Sequence, residues 1–481
     1  MLQYKSTTII SELQTYFSSR EKAITTLFQH LRSLKIFDRQ FQKFDKTNTQ
    51  YRGKQIFTLL LLFPFFDVKD ISYFAQSSVY NIFKCGKDVF YEFLKSVHTD
   101  WRKLSYSVTK QFIKRVEENS YISEKQPIRC LIADDTDLPK SGRCFEMLSR
   151  IYSHVSKTFN YGFKGLFLGY HDGKSFFGLD FSLHGEKGKD PKKPYGLTKK
   201  QSKRRFKNKK RKKKSNSQIR VNEYFEKKTD MLLAMISTAI FNGIRFDYLL
   251  TDSWFTNYKT IEFIVTRKIK CHFLGMVKSD KTQYGYKDKM LTINQIRDSK
   301  KRTKAHKSKK LNCKYYETEL DFKGITVKLF YCKMNGKKRW HCLLTTNLAL
   351  DFEQAFEIYA TRWTIEVFFK ECKQFLHLGK CEARSFEAQI AATTICMLQY
   401  NALSMVKRFE SYETLGVLFR QAKAETLELT VKERIYMIII EILNEISLKT
   451  DFELDFLIEH IFAEYQQFIK QGNPEINATK A

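Results

Sequence analysis

The chain has 481 residues, with a hydrophobic fraction of 43% and an aromatic fraction of 15%, which exclude a largely disordered protein. Its net charge of +32 indicates a polyanionic partner, either nucleic acid or an anionic membrane surface. A membrane is the weaker alternative, because the strongest apolar run, residues 56–66, is too short to cross a bilayer. The ten cysteines form no CxxC pair, so we expect a reducing, cytoplasmic environment.

Residues 1–120 have a helical pattern throughout and predict an N-terminal DNA-binding region. Short basic connectors, such as residues 51–54 and 84–87, separate its helices. A helix-turn-helix within residues 68–93 is one alternative, and a plain helical bundle is the other. The predicted helices cover residues 9–17, 23–34, 55–65, 68–75, 88–97 and 105–118.

The pattern changes at Cys130, where residues 130–133 predict a strand that ends in the acidic residues Asp134 and Asp135. Residues 162–170 and 175–183 predict two more strands, joined by a hairpin turn at Asp172-Gly173. Residues 187–214 then hold sixteen Lys or Arg against a single acid. We interpret this segment as a basic loop on a DNA backbone, the alternative being a disordered tail or targeting signal. Its candidate phosphate contacts are Lys203, Arg204, Arg205, Lys209, Lys210 and Arg211.

A second acidic residue follows a buried strand further along the chain. Residues 221–240 predict a helix, and residues 246–251 predict a strand that ends at Asp252. Alternatively, Asp252 caps the helix predicted at residues 257–265. After a strand at residues 270–276, residues 278–350 predict a β-rich insertion with strands at 314–320, 325–332 and 339–345. Residues 409–481 predict a helical C-terminal region with a possible dimer contact.

One helical stretch, residues 359–373, carries a polar stripe. Spacings of three, four, four and three residues place its members within roughly 80° of one another on a helix. The stripe consists of Tyr359, Arg362, Glu366, Lys370 and Lys373. Asp351, with Gln354 three residues later, predicts the N-cap of this helix. The alternative is a solvated face with intrahelical ion pairs such as Glu366–Lys370.

Asp134, Asp252 and Glu366 predict a two-magnesium phosphoryl-transfer site. They are 118 and 114 residues apart, two at strand ends and one on a helix that packs on the same sheet. Three carboxylates that converge in a very basic chain suit divalent cations and a phosphate. Asp134 or Asp135 could be the first ligand; we choose Asp134 because an x-[ST] pattern follows it.

These residues resemble a family. Tyr359, Arg362, Glu366 and Lys373 match the Y-x2-R-x3-E-x6-K signature of bacterial insertion-sequence transposases of the IS-four group, members of the DDE superfamily. The stretches around Asp134 and Asp252 are similar to the first two motifs of that group. The resemblance covers about residues 130–405. It implies an α+β multidomain protein with a ribonuclease-H-like mixed-sheet core at residues 121–277 and 351–408.

The resemblance also implies cut-and-paste DNA transposition through a hairpin intermediate. Two Mg²⁺ ions, for which Mn²⁺ can substitute, would be held by the three carboxylates, while the Tyr, Arg and Lys residues of the stripe contact terminal phosphates. Trp254 would stack on a flipped base or, alternatively, pack in the core. The implied partners are the terminal inverted repeats, target DNA and a second copy of the chain, in a bacterial cytoplasm at the nucleoid. The alternatives are a catalytically inactive DNA-binding relative and a ribonuclease-H-like nuclease that cuts without joining.

Overall fold

The structure is a computed structural model that describes residues 34–424, apart from short gaps. These gaps are residues 37, 49, 67–70, 77–79, 81–84, 120–126, 189, 210, 268–269, 301–302, 338 and 410–413. The helices predicted at residues 9–17, 431–447 and 451–470, and all but the last residue of 23–34, lie outside the described residues.

The N-terminal region is helical, as predicted, and packs around aromatic rings. Its helices are α1 (Gln42–Thr47), α2 (Gly53–Leu62), α3 (Lys87–Leu94) and α4 (Trp101–Asn119), with 3-10 turns at Asp38–Gln40, Phe63–Phe66 and Ile71–Gln76. The Phe93 ring lies 5.3 Å from Phe41 and 5.7 Å from Trp101. Gly53 starts α2 against Phe41, where an added Cβ would lie 2.4 Å from the Phe41 Cβ. Only part of the possible helix-turn-helix at residues 68–93 falls within the described residues, so that motif stays a prediction.

A mixed sheet forms the core, which confirms the predicted α+β class. Its first half consists of β1 (Cys130–Pro139), β2 (Ser149–Ser153), β3 (Thr158–His171), β4 (Phe176–His184), β5 (Tyr248–Thr251) and β6 (His272–Met276). β1 pairs antiparallel with β3 and parallel with β5, and β5 pairs parallel with β6. The turn predicted at Asp172-Gly173 joins β3 to β4, with Gly173 at φ +96°. The short, polar strand β2 was not predicted.

β1 is longer than the sequence predicts. It continues past Asp134 to Pro139 because β3 pairs with it along its whole length. Its parallel partner β5 pairs with it only as far as Ala133, opposite Thr251. Asp134 is therefore not at the end of its strand; it lies where the sheet opens between β1 and β5.

The β-rich insertion extends the core sheet. It contains β7 (Gln283–Tyr286), β8 (Lys289–Thr292), β9 (His306–Ser308), β10 (Cys313–Phe322), β11 (Ile325–Met334) and β12 (His341–Thr345). The three longest are the three predicted strands, and a turn at Asn335-Gly336 follows β11, with Gly336 at φ +73°. β12 pairs antiparallel with β6, so the insertion and the core share one twelve-stranded sheet.

Helices cover the sheet. They are α5 (Lys199–Lys203), α6 (Asn216–Glu223), α7 (Lys228–Phe241), α8 (Tyr258–Thr266), α9 (Ile293–Lys300), α10 (Phe352–Ala360), α11 (Trp363–Phe375) and α12 (Phe386–Phe409). The single helix predicted at residues 221–240 is thus divided between α6 and α7. Within the described residues, no helix combines the length and apolarity needed to span a bilayer.

Buried polar contacts connect the N-terminal helices to the core. The Asn401 side chain on α12 donates to Thr109 on α4 and to the Gly178 carbonyl on β4, and it accepts from the Gly178 amide. On α4, Arg102 donates to Asp180 of β4 and to Glu223 of α6. Since buried polar groups are costly unless they are paired, these contacts fix how α4 lies on the sheet.

Candidate active site

The predicted helix of residues 359–373 is two helices with a break at Thr361-Arg362. Asp351 caps α10 as predicted, since its carboxylate accepts from the Gln354 amide at 2.8 Å. The chain turns after Ala360, and the Arg362 amide donates to the Tyr359 carbonyl at 3.0 Å. Tyr359 is therefore in the last turn of α10, while Glu366, Lys370 and Lys373 lie on α11.

Arg362 connects the first and third predicted carboxylates. Its Nη1 donates to Asp134 Oδ2 at 2.8 Å, and its Nη2 donates to Glu366 Oε1 at 2.5 Å. Asp134 and Glu366 thus meet across a single guanidinium, and Asp134 is 228 residues from Arg362 in the chain. Glu366 forms its ion pair with Arg362, and not with Lys370, the partner named in the alternative interpretation.

Asp252 lies at the adjacent strand end. Its Oδ1 accepts from the backbone amides of Trp254 at 2.9 Å and Phe255 at 3.3 Å. Asn257, and not Asp252, caps α8. The Tyr359 hydroxyl donates to the Thr251 carbonyl at 3.2 Å, which ties α10 to the end of β5. The charge of Asp252 acts on Asp134, so the second carboxylate belongs to the same cluster.

Burial shapes the electrostatics of this cluster. It raises the pKa of Asp134 to about 7, although Arg362 acts in the opposite direction and Asp252 adds to the rise. Burial likewise raises the pKa of Asp252, against the effect of the two backbone amides that it accepts from. Burial also raises the pKa of Tyr359 to about 12, which keeps its hydroxyl protonated. The two carboxyl groups therefore gain from a nearby cation.

Asp134 and Asp135 face different partners. Asp134 contacts the guanidinium that also holds Glu366, whereas Asp135 forms an ion pair with Lys228 at the start of α7. The charge of Asp135 raises the pKa of Asp252, and the charge of Asp252 raises the pKa of Asp134. The geometry favours Asp134 as the first ligand, and this choice remains a prediction.

The two lysines of the stripe lie on α11 and are exposed. Lys373 donates to the Thr136 hydroxyl at 2.6 Å, so it reaches the strand that carries Asp134. Thr136 occupies the hydroxyl position that the sequence motif singles out. Lys370 is on the same helical face, between Glu366 and Lys373.

Trp254 is 57% exposed, which excludes the core-packing alternative. The ammonium group of Lys278 lies 4.3 Å from the centroid of its ring, and that of Lys228 lies 5.5 Å away. Sequence analysis did not identify these two lysines. Lys278 is 24 residues and Lys228 is 26 residues from Trp254 in the chain, and only the fold brings them to its ring.

The basic segment of residues 187–214 is anchored on the core. Lys203, Arg204 and Lys209 are exposed, and Lys210 lies outside the described residues. Arg205 is partly buried and donates to the Leu148 carbonyl at 2.9 Å. The segment is thus partly helical, through α5. Its exposed cations are carried by a backbone that is anchored on the core.

Arg211 is not available for the predicted phosphate contact. Its side chain is 10% exposed and forms ion pairs with Glu146 at 2.9 Å and Glu387 at 2.5 Å. Its Nε also donates to the Ser217 hydroxyl at 2.9 Å. The guanidinium is paired with two buried carboxylates, so Arg211 anchors the segment instead of contacting DNA.

The donor set of the site fits a hard divalent cation. Asp134, Asp252 and Glu366 supply only oxygen ligands, which Mg²⁺ prefers. As the side chains lie, however, no three Asp, Glu, His or Cys among the described residues are arranged to hold a metal ion. Arg362 fills the space between two of the carboxylates. The residues therefore fit Mg²⁺ once that guanidinium moves aside.

Two DDE family models match the chain. A model described as DDE superfamily endonuclease matches residues 79–313, which include Asp134 and Asp252. A second, described as Transposase DDE domain, matches residues 226–402, which include Asp252 and Glu366. The chain is similar to DDE endonuclease and transposase domains, which is the broader part of the predicted resemblance.

Other comparisons add little to this. One solved structure, a cryo-EM structure of a piggyBac transposase synaptic complex with hairpin DNA, is 15% identical with a TM-score of 0.41. The match covers 79% of this chain and 71% of that chain. No curated protein matches the chain.

Proposed function

We propose that the protein is a DDE transposase that moves an insertion sequence by Mg²⁺-dependent cut-and-paste transposition. One observation carries the proposal: the Arg362 guanidinium donates to Asp134 on β1 and to Glu366 on α11, and its charge also acts on Asp252 after β5. The match to DDE endonuclease and transposase domains supports the same reaction class.

The three carboxylates would hold two Mg²⁺ ions, which when bound supply an activated water or 3′-hydroxyl and stabilise the leaving oxygen. The chain's own residues would position the DNA. Tyr359, Arg362, Lys370 and Lys373 lie around the carboxylates and would hold the phosphate beside the scissile bond. The partly buried Asp134 and Asp252 keep their geometry through bonds to Arg362 and to backbone amides.

Trp254 would take a base that leaves the stack during hairpin formation. Its exposed ring supports this role, because base stacking on an aromatic side chain needs an open face. Lys228 and Lys278 beside the ring would hold the phosphates that flank that base. These two lysines extend the site beyond the residues that the sequence predicts.

The remaining DNA contacts would be electrostatic. The exposed side chains of Lys203, Arg204 and Lys209 would follow the phosphate backbone of double-stranded DNA. Residues 1–120 would bind the terminal inverted repeats, and residues 409–481 would contact the second copy in a homodimer that pairs two ends. We expect this assembly to act on DNA in a bacterial cytoplasm.

The products distinguish this proposal from its alternatives. Purified protein would be incubated in Mg²⁺ with a duplex of the inverted repeats that flank its gene, together with a target plasmid. A transposase gives cut ends, hairpins and fragments joined to the plasmid. Cut ends without joined fragments would indicate a nuclease, and DNA binding without any cleavage would indicate an inactive relative. Either result would contradict the proposal.

A further inference from the structure

The guanidinium of Arg362 occupies the position that a cation bound to both Asp134 and Glu366 would take. It donates to Asp134 at 2.8 Å and to Glu366 at 2.5 Å, and its side chain is only 15% exposed. Among the described side chains, no trio of possible ligands stands ready for a metal. A single positive charge of the chain itself thus already lies between two of the carboxylates.

We propose that Arg362 closes the metal site of the DNA-free protein, and that a DNA phosphate opens it by taking over the guanidinium. The inference rests on the proposed function, because it assumes that the three carboxylates hold the catalytic cations. It adds an order of events: the cations and the DNA bind cooperatively, and the protein without DNA is a weak metal binder.

The argument follows from charge and burial. A divalent cation that enters without DNA must displace the guanidinium and leave it partly buried, without an acceptor, beside a like charge. A phosphate removes that cost, because its oxygens accept the two parallel N–H groups of an arginine fork. Coupling of this kind is reciprocal and is typically worth about 5- to 150-fold in affinity.

The position of Arg362 suits this exchange. It lies at the break between α10 and α11, so its side chain is at a helix end and not within a helix. Lys370 and Lys373 are exposed on the same helical face and would attract a phosphate to the mouth of the site. The centroid of the Tyr359 ring lies 5.9 Å from the Arg362 guanidinium and is one of its neighbours.

The first test measures Mn²⁺ affinity of the full chain without DNA, by electron paramagnetic resonance of the free ion. Arg362→Gln removes the internal cation and should bind Mn²⁺ about 5- to 150-fold more tightly than the wild type. Arg384→Gln makes the same chemical change at an exposed arginine outside the site and should match the wild type. Equal or weaker Mn²⁺ binding by Arg362→Gln would overturn the inference.

Two further variants keep the result interpretable. Arg362→Lys retains the charge but lacks the planar fork, so its Mn²⁺ affinity should lie between those of the wild type and Arg362→Gln. Circular dichroism checks that each variant is folded.

Adding Asp252→Asn to Arg362→Gln should abolish the tight binding. If tight binding persisted, the metal would lie elsewhere and the proposed function would lose its metal site. If Arg362→Gln bound no more tightly but still lost Mn²⁺ with Asp252→Asn, only the closure by Arg362 would be wrong.

A second measurement tests the role of DNA. A duplex with a 5′-phosphate should raise the Mn²⁺ affinity of the wild type by the same factor by which Mn²⁺ raises its affinity for that duplex. It should leave the affinity of Arg362→Gln nearly unchanged, because that variant has no guanidinium to release. A wild-type Mn²⁺ affinity that is indifferent to the duplex would contradict the coupling.

Discussion

At the scale of residues, the site contains a carboxyl group, that of Asp134, whose ionised form is destabilised in the folded protein. Asp134 is largely removed from solvent, with a side chain 15% exposed, and keeps a raised pKa even though Arg362 donates to it at 2.8 Å. An ordinary structural ion pair would lower the pKa of its carboxyl group. A carboxyl group whose pKa stays raised beside an arginine is typical of sites that receive further positive charge from a ligand.

Stability should therefore fall as pH rises through the range in which Asp134 ionises. Its folded-state pKa of about 7 exceeds the ordinary value of about 3.9, so the folded protein holds a proton that the unfolded chain releases. The free energy of unfolding, measured in urea without metal, should decrease between about pH 4 and about pH 7. Asp134→Asn should reduce this slope and stabilise the protein by about 2 kcal/mol at pH 8.

The control for that experiment is Asp288→Asn, which changes an exposed aspartate in the β7–β8 turn. Asp288 has a φ of +58°, a conformation that asparagine tolerates well. Its pH dependence of unfolding should match that of the wild type. If Asp134→Asn left the slope unchanged or destabilised the protein at pH 8, the electrostatic description of the site would be wrong.

Sequence reasoning found the acidic residues because each has a local signal, but it could not find how they are paired. Asp134 follows an apolar strand, and Glu366 belongs to a stripe with helical spacing. The bond between Arg362 and Asp134 joins residues 228 positions apart, so no local pattern contains it. The exposure of Trp254 is equally non-local, because it depends on where β5 and α7 lie.

At the scale of elements, the basic segment of residues 187–214 separates into an anchor and a contact surface. Arg211 is paired inside the protein with Glu146 and Glu387, while Lys203, Arg204 and Lys209 are exposed. Charge composition alone could not divide the segment in this way. Its cations look equivalent in sequence, and the two acidic partners of Arg211 are 65 and 176 residues away.

Replacing Lys203, Arg204 and Lys209 together by Gln should weaken DNA binding in a salt-dependent way. Each lost phosphate contact lowers the slope of log affinity against log salt by about 0.9, so the triple variant should lose up to about 2.7. Fluorescence anisotropy with duplex DNA at several salt concentrations measures the slope. The free energy of unfolding should change little, because exposed charges contribute little to stability.

Arg211→Gln is the matched control and should behave in the opposite way. It leaves two buried carboxylates without their guanidinium, which typically costs about 3–5 kcal/mol. Its salt slope should stay near that of the wild type under conditions where it is folded. A triple variant with an unchanged slope, or an Arg211→Gln protein of normal stability, would contradict this division of the segment.

Element boundaries were predicted best where periodicity alone decides them. The predicted helix at residues 105–118 is within α4, and the predicted strand at residues 325–332 is within β11. β1 runs beyond its predicted end because β3 supplies a partner as far as Gly162. The break at Thr361-Arg362 could not be predicted from the spacing of the polar stripe. The backbone angles of these two residues are close to helical, so the three- and four-residue spacing continues across the break.

At the scale of the whole molecule, one sheet carries both the site and the insertion. β12 pairs with β6, and β6 pairs with β5, the strand that leads to Asp252. The insertion therefore lies two strands from a candidate ligand, and its strands continue the sheet on which the carboxylates stand. The sequence predicts the insertion but not this continuity, which depends on the pairing of β6 with β12.

The central claim is that Asp134, Asp252 and Glu366 act together in Mg²⁺-dependent DNA cleavage. The most direct measurement compares cleavage of inverted-repeat DNA by the wild type and by Asp252→Ala, with DNA affinity measured in parallel. We expect Asp252→Ala to bind this DNA with similar affinity but to cut it more than about a hundredfold more slowly. An Asp252→Ala protein that still cut the ends at the wild-type rate in Mg²⁺ would contradict the claim.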